Sequence, residues 1–442
     1  MKKTVIILVL GMLLSVFASG CGAATGTQET STGAPASFTE KEPESYKGSI
    51  TMLTLDGKTD TAMAAEFNKK FPNIKVKIVP IPDGGDYSTK LSSMLASGSG
   101  IPDVVTLEYS ILGKFINTDQ FEILGEAPFN GNQYKDNMVE YMFNYGKNAK
   151  GQQVGMPVDP APAGLFYRKD IVKQYLGTDD SAELAEMMPT WDKFLEQAKI
   201  IKEKSGGKVY ALSSADLLYP FIAKQTGKPW IDEKLKVSIE TLYLDAMKTT
   251  QKFVEADVFA KIKTWEAPWY ASFSQGNIAF YPEGLWLEGF VIKDNDKDGA
   301  RRWGVTKTPG GCLNSGGVNL AIPKGSENKE LAWQFIKWYT TTEEAAVTTR
   351  KTAGGLTAWK PAYENPIYHE ADDFMGGFKT AEFFINEADT NMKVPPVSQY
   401  DPILTDVTNK YMTPFAEGTA TAEETLKKIT DEVLTMIPES SR

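Results

Sequence analysis

Cysteine and histidine are nearly absent. The 442 residues hold two cysteines, Cys21 and Cys312, and one histidine, His369. Any Ser-His-Asp arrangement would hang on His369, and no Gly-x-Ser-x-Gly elbow is present. Metal sites built from clustered histidines or cysteines are excluded. So is a phosphate loop of the Gly-x-x-x-x-Gly-Lys-Ser/Thr type. Basic charge is also short: 47 Lys and Arg face 57 Asp and Glu, a net charge of −10. With no basic stripe, the chain is a poor match for nucleic acid. No long apolar run follows Leu14, so nothing in the body reads as a membrane span. One catalytic class survives these absences. A glycosidase needs only two carboxylates about 5–10 Å apart, and the acids around Glu283 are its best candidates.

The first residues have a pattern of their own. Lys2 and Lys3 precede the aliphatic run Val5 to Leu14, and small residues follow, as in a secretory signal. Ala18-Ser19-Gly20-Cys21 resembles the lipobox of bacterial lipoproteins, with Ala18 where leucine is usual. The resemblance implies cleavage before Cys21 and a lipid on its sulfur. Acyl chains hold membrane by about 0.8 kcal/mol per buried methylene, so two or three anchor firmly. Cys312 then has no partner within the chain, and a domain this large needs no disulfide. From Gly22 to about Pro43 small and polar residues dominate, which predicts a flexible tether.

Folding is expected from Gly48 to Lys58, an apolar strand ending in a glycine turn. Met63, Phe67 and Phe71 recur at helical spacing, and Ile74, Val76 and Ile78 alternate as in a strand. Tyr87, Leu91, Met94 and Leu95 mark a second helix, before the apolar strand IPDVVTL. Strand and helix in alternation predict a doubly wound α/β lobe with functional loops at the strand ends. Farther on, Thr190 reads as the N-cap of a helix striped by Trp191, Phe194, Leu195 and Ala198. Two more helices follow, one carrying Leu331, Phe335, Trp338 and Tyr339 and one closing the chain. The remaining length suffices for two lobes with separate cores.

Several stretches, in order, resemble the maltose-binding-protein-like extracellular solute-binding proteins of carbohydrate ABC importers. They are SGIPDVV, GMPVDPAPAGLFYRKDIV, PTWDKF, FSQGNIAFYPEGLW, WGVTKTPGG with GGVNLAIPKGSENKELAWQFIKW, AGGLTAWKPAYEN, and FAEGTATAEETLKKI. Each is weak alone, but together they run through almost the whole chain from residue 48 to 435. The resemblance implies an α/β, two-lobe, type II periplasmic-binding-protein-like fold with a ligand cleft at the hinge. It places a signal at 1–20, a tether at 21–46, the N-terminal lobe at 47–158 and 316–345, and the C-terminal lobe at 159–315 and 346–442. Pro160 and Pro162 would stiffen one hinge strand, and Gly316 and Gly317 would permit dihedral change in another.

Candidate ligand contacts follow from composition and from the resemblance. Trp265 to Gly289 holds seven aromatics in 25 residues, where the chain average of 11% gives about three. Sugar rings lie on aromatic planes and their hydroxyls need charged partners, so acids beside indoles fit a carbohydrate. The resemblance gives Trp286 the ligand-stacking position, with Glu283 beside it; Trp265, paired with Glu266, and Trp269 are further candidates. Phe273 and Phe280 read as core. Asp56, Glu108, Tyr109 and Asp159 fall at expected strand ends facing the cleft, though each acid could equally be a helix cap or solvated surface. Trp359 lies in a loop similar to a ligand loop of the family and Tyr400 precedes the last helices, both further candidates, while Asp103 reads as structural. Asp294, Asp296 and Asp298 repeat like the first half of an EF-hand calcium loop, but the twelfth position is Val305. A solvated acidic turn is therefore favoured over calcium.

The expected protein captures a carbohydrate, an oligosaccharide such as an arabino- or xylo-oligosaccharide, outside the bacterial cell membrane. It is expected to be lipid-anchored through Cys21 and monomeric, and to hand its ligand unchanged to ABC permease subunits. No catalytic residues and no cofactor are expected. The alternatives are an extracellular glycan-acting hydrolase and a sugar-sensing subunit signalling to a histidine kinase.

Overall fold

The computed structural model describes residues 37–82, 84–389 and 392–442; the secretory pattern and Cys21 lie outside these residues. Two sheets organise them. In the first, β1 (Gly48–Thr54), β2 (Ile74–Pro80), β3 (Val104–Glu108), β4 (Met156–Asp159) and β8 (Val318–Ala321) lie in the order β2-β1-β3-β8-β4. β1 pairs parallel with β2 and β3, whereas β8 runs antiparallel to both β3 and β4. In the second, β5 (Ala163–Arg168) is flanked antiparallel by β6 (Phe280–Gly284) and β7 (Trp303–Thr306).

Alternating side chains give each sheet a core on both faces. Met52, Val104 and Leu320 pack into one cluster of the first sheet, and their neighbours Leu53, Val105 and Ala321 into the other. Leu165 and Tyr167 face one core of the second sheet, and Phe166 between them faces the other. The chain leaves the first sheet after Asp159 and enters the second at Ala163. It returns between Thr306 and Val318.

Three helices matter for the cleft: α1 (Gly57–Lys70), α2 (Gly84–Ser97) and α3 (Tyr109–Ile116). The expected glycine turn after β1 is a direct passage into α1, because Asp56 Oδ1 accepts from the N–H groups of Lys58 and Thr59, each at 3.0 Å. The expected cap at Thr190 is present, its hydroxyl accepting from Lys193 N–H at 3.2 Å. Asp103 is structural as read: it binds Thr51 N–H at 2.8 Å and Ser326 Oγ at 2.6 Å, tying β1 to the loop after β8.

Within the described part of the expected tether, Phe38 meets Phe129 edge-on at 5.4 Å, Lys41 pairs with Glu330 at 2.7 Å, and Tyr46 is buried. Two aromatic contacts and one ion pair thus hold residues 38–46 to the first sheet's lobe. Among the described residues no helix is long and apolar enough to cross a membrane.

Candidate functional site

Four carboxylates from both lobes share one arrangement. Asp56 caps α1 through Oδ1 alone. Glu108, at the end of β3, caps α3 through Oε2, which accepts from the N–H of Ser110 at 2.9 Å and from its hydroxyl. Asp159, at the end of β4, accepts from Val318 N–H at 2.9 Å through Oδ1. Across the cleft, Glu283 on β6 accepts from Gly284 N–H and Ser315 Oγ, both at 3.3 Å, through Oε2. Each group is fixed by one oxygen, and among the described residues the other accepts no hydrogen bond. The helix-cap alternative is realised at Asp56 and Glu108.

Desolvation dominates their electrostatics. Burial pushes Asp159 and Glu283 up to about 7. Burial raises Glu108 as well, against the Ser110 hydrogen bonds that favour its ionised form. Asp159 is pushed further by the charges of Glu108, Asp56 and Asp60, so the first-lobe acids stand within reach of one another's fields. Asp60 is a member that sequence reading missed. It is 3% exposed, its carboxyl bonds the hydroxyls of Thr54 and Tyr339, and burial raises it to about 7. The available signal was helical spacing: Asp60, Met63 and Phe67 share the buried face of α1.

Trp286 is half-buried, and its indole N–H donates to the Ser315 carbonyl at 2.9 Å. Ser315 thereby holds both Trp286 and Glu283 in place. Trp265 stacks on Trp286 at 5.6 Å and 19°, and remains 51% exposed. Gly316 follows with φ +134°, and a Cβ there would lie 3.2 Å from Ala161 and 3.4 Å from the Trp286 indole nitrogen. The indole pair thus rests on a backbone that only glycine fits closely.

The remaining candidates have varied surroundings. Trp269 is fully buried in the second-lobe core, edge-on to Phe273 at 4.9 Å, and presents no face to a ligand. Glu266 is exposed and pairs with Lys263 at 3.4 Å. Trp359 packs at the margin of cores from both lobes, bridging Met138 and meeting Tyr134 at 6.2 Å. Tyr400 is partly buried against the second-lobe core, beside Asp401, whose carboxylate takes the Trp230 indole N–H at 2.7 Å. Tyr109 lies closer to the acids, its ring 5.5 Å from Tyr145. In the acidic loop, Asp296 is buried and accepts from Arg302 Nε at 2.8 Å and from the Trp303 indole at 2.7 Å. Asp294 pairs with Lys58 at 3.6 Å. Both oxygens of Asp296, the central acid of the loop, are thus taken by Arg302 and Trp303.

His369 is exposed, its ring bonded to the Tyr363 carbonyl at 3.0 Å. Cys312 is buried and free, and burial pushes its thiol up to about 12.

Residues 53–346 match the family model described as bacterial extracellular solute-binding protein. The lactose-binding protein of Rhizobium radiobacter is 27% identical over 383 residues, covering 80% of this chain and 84% of that protein. The arabinooligosaccharide-binding protein of Halalkalibacterium halodurans is 25% identical over 382 residues, covering 82% and 83%. Among solved structures, the ABC transporter associated binding protein from B. animalis subsp. lactis, in complex with β-1,6-galactobiose, superposes with a TM-score of 0.76 at 20% identity, covering 89% of this chain and 98% of that one. The last likeness is one of fold, a two-lobe α/β binding protein.

Proposed function

This chain belongs to the bacterial extracellular solute-binding proteins, and we propose that the solute it captures is a neutral oligosaccharide, held between the lobes and released unchanged. One observation carries the reading. Carboxylates of both lobes are each fixed by one oxygen and offer the other, beside an indole pair whose outer member is half-exposed. Sugar hydroxyls donate to such oxygens, while ring C–H faces cover the indole.

Ligand that touches both lobes favours the closed form by the contacts only that form makes. The closed protein then presents its ligand to ABC permease subunits. Cys21 is the point of lipid attachment at the outer face of the cell membrane, and the protein acts as a monomer. Curated relatives named for lactose and arabino-oligosaccharides support a short neutral glycan.

Titration calorimetry with arabinotriose, lactose and maltotriose, run beside an assay for new reducing ends, tests this. Heat without cleavage is expected for at least one glycan. Turnover of any of them would overturn the reading in favour of a hydrolase.

A further inference from the structure

Lys224 ends the helix Ala215–Lys224 in the second lobe. Its neighbour Gln225 is held three ways: it accepts from the Trp191 indole at 2.7 Å and donates to the carbonyls of Pro309 and Gly311, each at 2.8 Å. From this fixed base the lysine reaches the other lobe, and its ammonium stands 5.6 Å from the centre of the Tyr109 ring. Lys224 is half-buried, and among the described residues its ammonium forms no hydrogen bond and no ion pair, only the approach to the Tyr109 ring. Its positive charge acts on Glu108 in the first lobe and on Glu283 in the second, drawing both carboxyls down against burial.

An ammonium that stands over a ring of the other lobe with no hydrogen-bond partner among the described residues has all its N–H groups free for a ligand. The neighbouring donors are already engaged. The Trp286 indole N–H goes to Ser315, and the Ser315 hydroxyl to Glu283. The Tyr141 hydroxyl goes to Asn314 at 3.0 Å and that of Tyr145 to the Pro395 carbonyl at 2.5 Å. Lys58 is held by Asp294. These donors are taken, while Glu108 and Glu283 each keep an oxygen with no hydrogen bond among the described residues. A sugar hydroxyl that donates to a carboxylate still carries lone pairs, and these need an N–H when water is excluded.

We propose that Lys224 contacts the ligand directly, donating to oxygens of the same sugar whose hydroxyls Glu108 and Glu283 accept, and so determines which glycans bind. The inference rests on the oligosaccharide reading of the cleft. Glycans with an oxygen between the two acids bind tightly, and those lacking it gain little from closure. Because the side chain leaves the second lobe and reaches Tyr109 of the first, its bond to ligand forms fully only when the lobes meet.

Calorimetry with arabinotriose, lactose and maltotriose on the full chain and on Lys224→Met tests this, with thermal melting of both proteins as the control for folding. At least a tenfold loss of affinity is expected for every glycan that the unaltered protein binds, with the melting temperature unchanged. Equal affinity in the two proteins would overturn the role of Lys224 while leaving the oligosaccharide reading intact. A loss of affinity accompanied by a lowered melting temperature would overturn it too, by showing a structural role. An unaltered chain that binds none of the three would overturn the oligosaccharide reading, and this inference with it.

Discussion

The indole N–H of Trp286 donates to the carbonyl of Ser315 at 2.9 Å, and the hydroxyl of the same serine donates to Glu283 at 3.3 Å. One residue on the segment returning to the first sheet thus orients both an aromatic plane and a carboxylate. The stacked Trp265 then forms a wall two indoles thick. Such a wall is fixed before ligand arrives, so little side-chain freedom is lost on binding.

Trp286→Ala should weaken glycan binding at least tenfold, about 1.4 kcal/mol, with a minor change in melting temperature. Trp269→Ala should do the reverse in its origin. Removing a fully buried indole costs about 3–5 kcal/mol of stability, read as a shifted denaturation midpoint, and any binding loss follows from that. Chemical denaturation and calorimetry on the same two variants separate the effects.

Asp60 gives the fold a pH dependence of known sign. Its folded value, raised by burial to about 7, lies above the unfolded 3.8, so the native state holds a proton that the unfolded chain releases. The stability it contributes is full below about pH 4 and is lost as pH rises through 7. Asp60→Asn should flatten that decline. Between pH 4 and 8 the unaltered protein should lose on the order of a few kcal/mol relative to the variant, measured by urea denaturation at each pH. Parallel curves would show that Asp60 is ionised throughout.

Gly113 of α3 faces the carbonyl of Ser398, and a Cβ there would overlap that oxygen and meet Gln399 N at 3.0 Å. The helix Asp401–Ala416 that follows packs into the second-lobe core through Val407, Met412 and Phe415. Gly113→Ala should therefore push the lobes apart at this contact. Weaker glycan binding is expected with each lobe's core intact, seen as lost calorimetric affinity beside an unchanged near-ultraviolet dichroism spectrum.

Asp103→Ala should have the opposite profile. It strands Thr51 N–H and the Ser326 hydroxyl, where a lost partner costs about 1–3 kcal/mol each. Melting should fall by several degrees, and affinity for the glycan should hold.

Periodicity made much of the fold legible. Ile74, Val76 and Ile78 line one face of β2, and Tyr87, Leu91, Met94 and Leu95 line one face of α2, because period 2 and period 3.6 are written directly in the residues. Strand ends pointed to Asp56, Glu108 and Asp159 for the same reason. Aromatic density misled at Trp269, where the signal was spacing: Trp269, Ser272 and Phe273 turn inward together in the helix Ala267–Gln275, whereas Trp265 precedes it. Lys224 left no trace, since its place depends on a long-range meeting with α3. Gly316 and Gly317, with φ of +134° and +105°, give the segment just before β8 a backbone that favours glycine.

Small-angle scattering from the full chain, with and without the glycan that gives heat, most directly tests whether two lobes clamp a sugar. The radius of gyration should fall on saturation, and the glycan should be recovered whole. A radius that no bound glycan alters, or a glycan recovered as fragments, would contradict capture by closure.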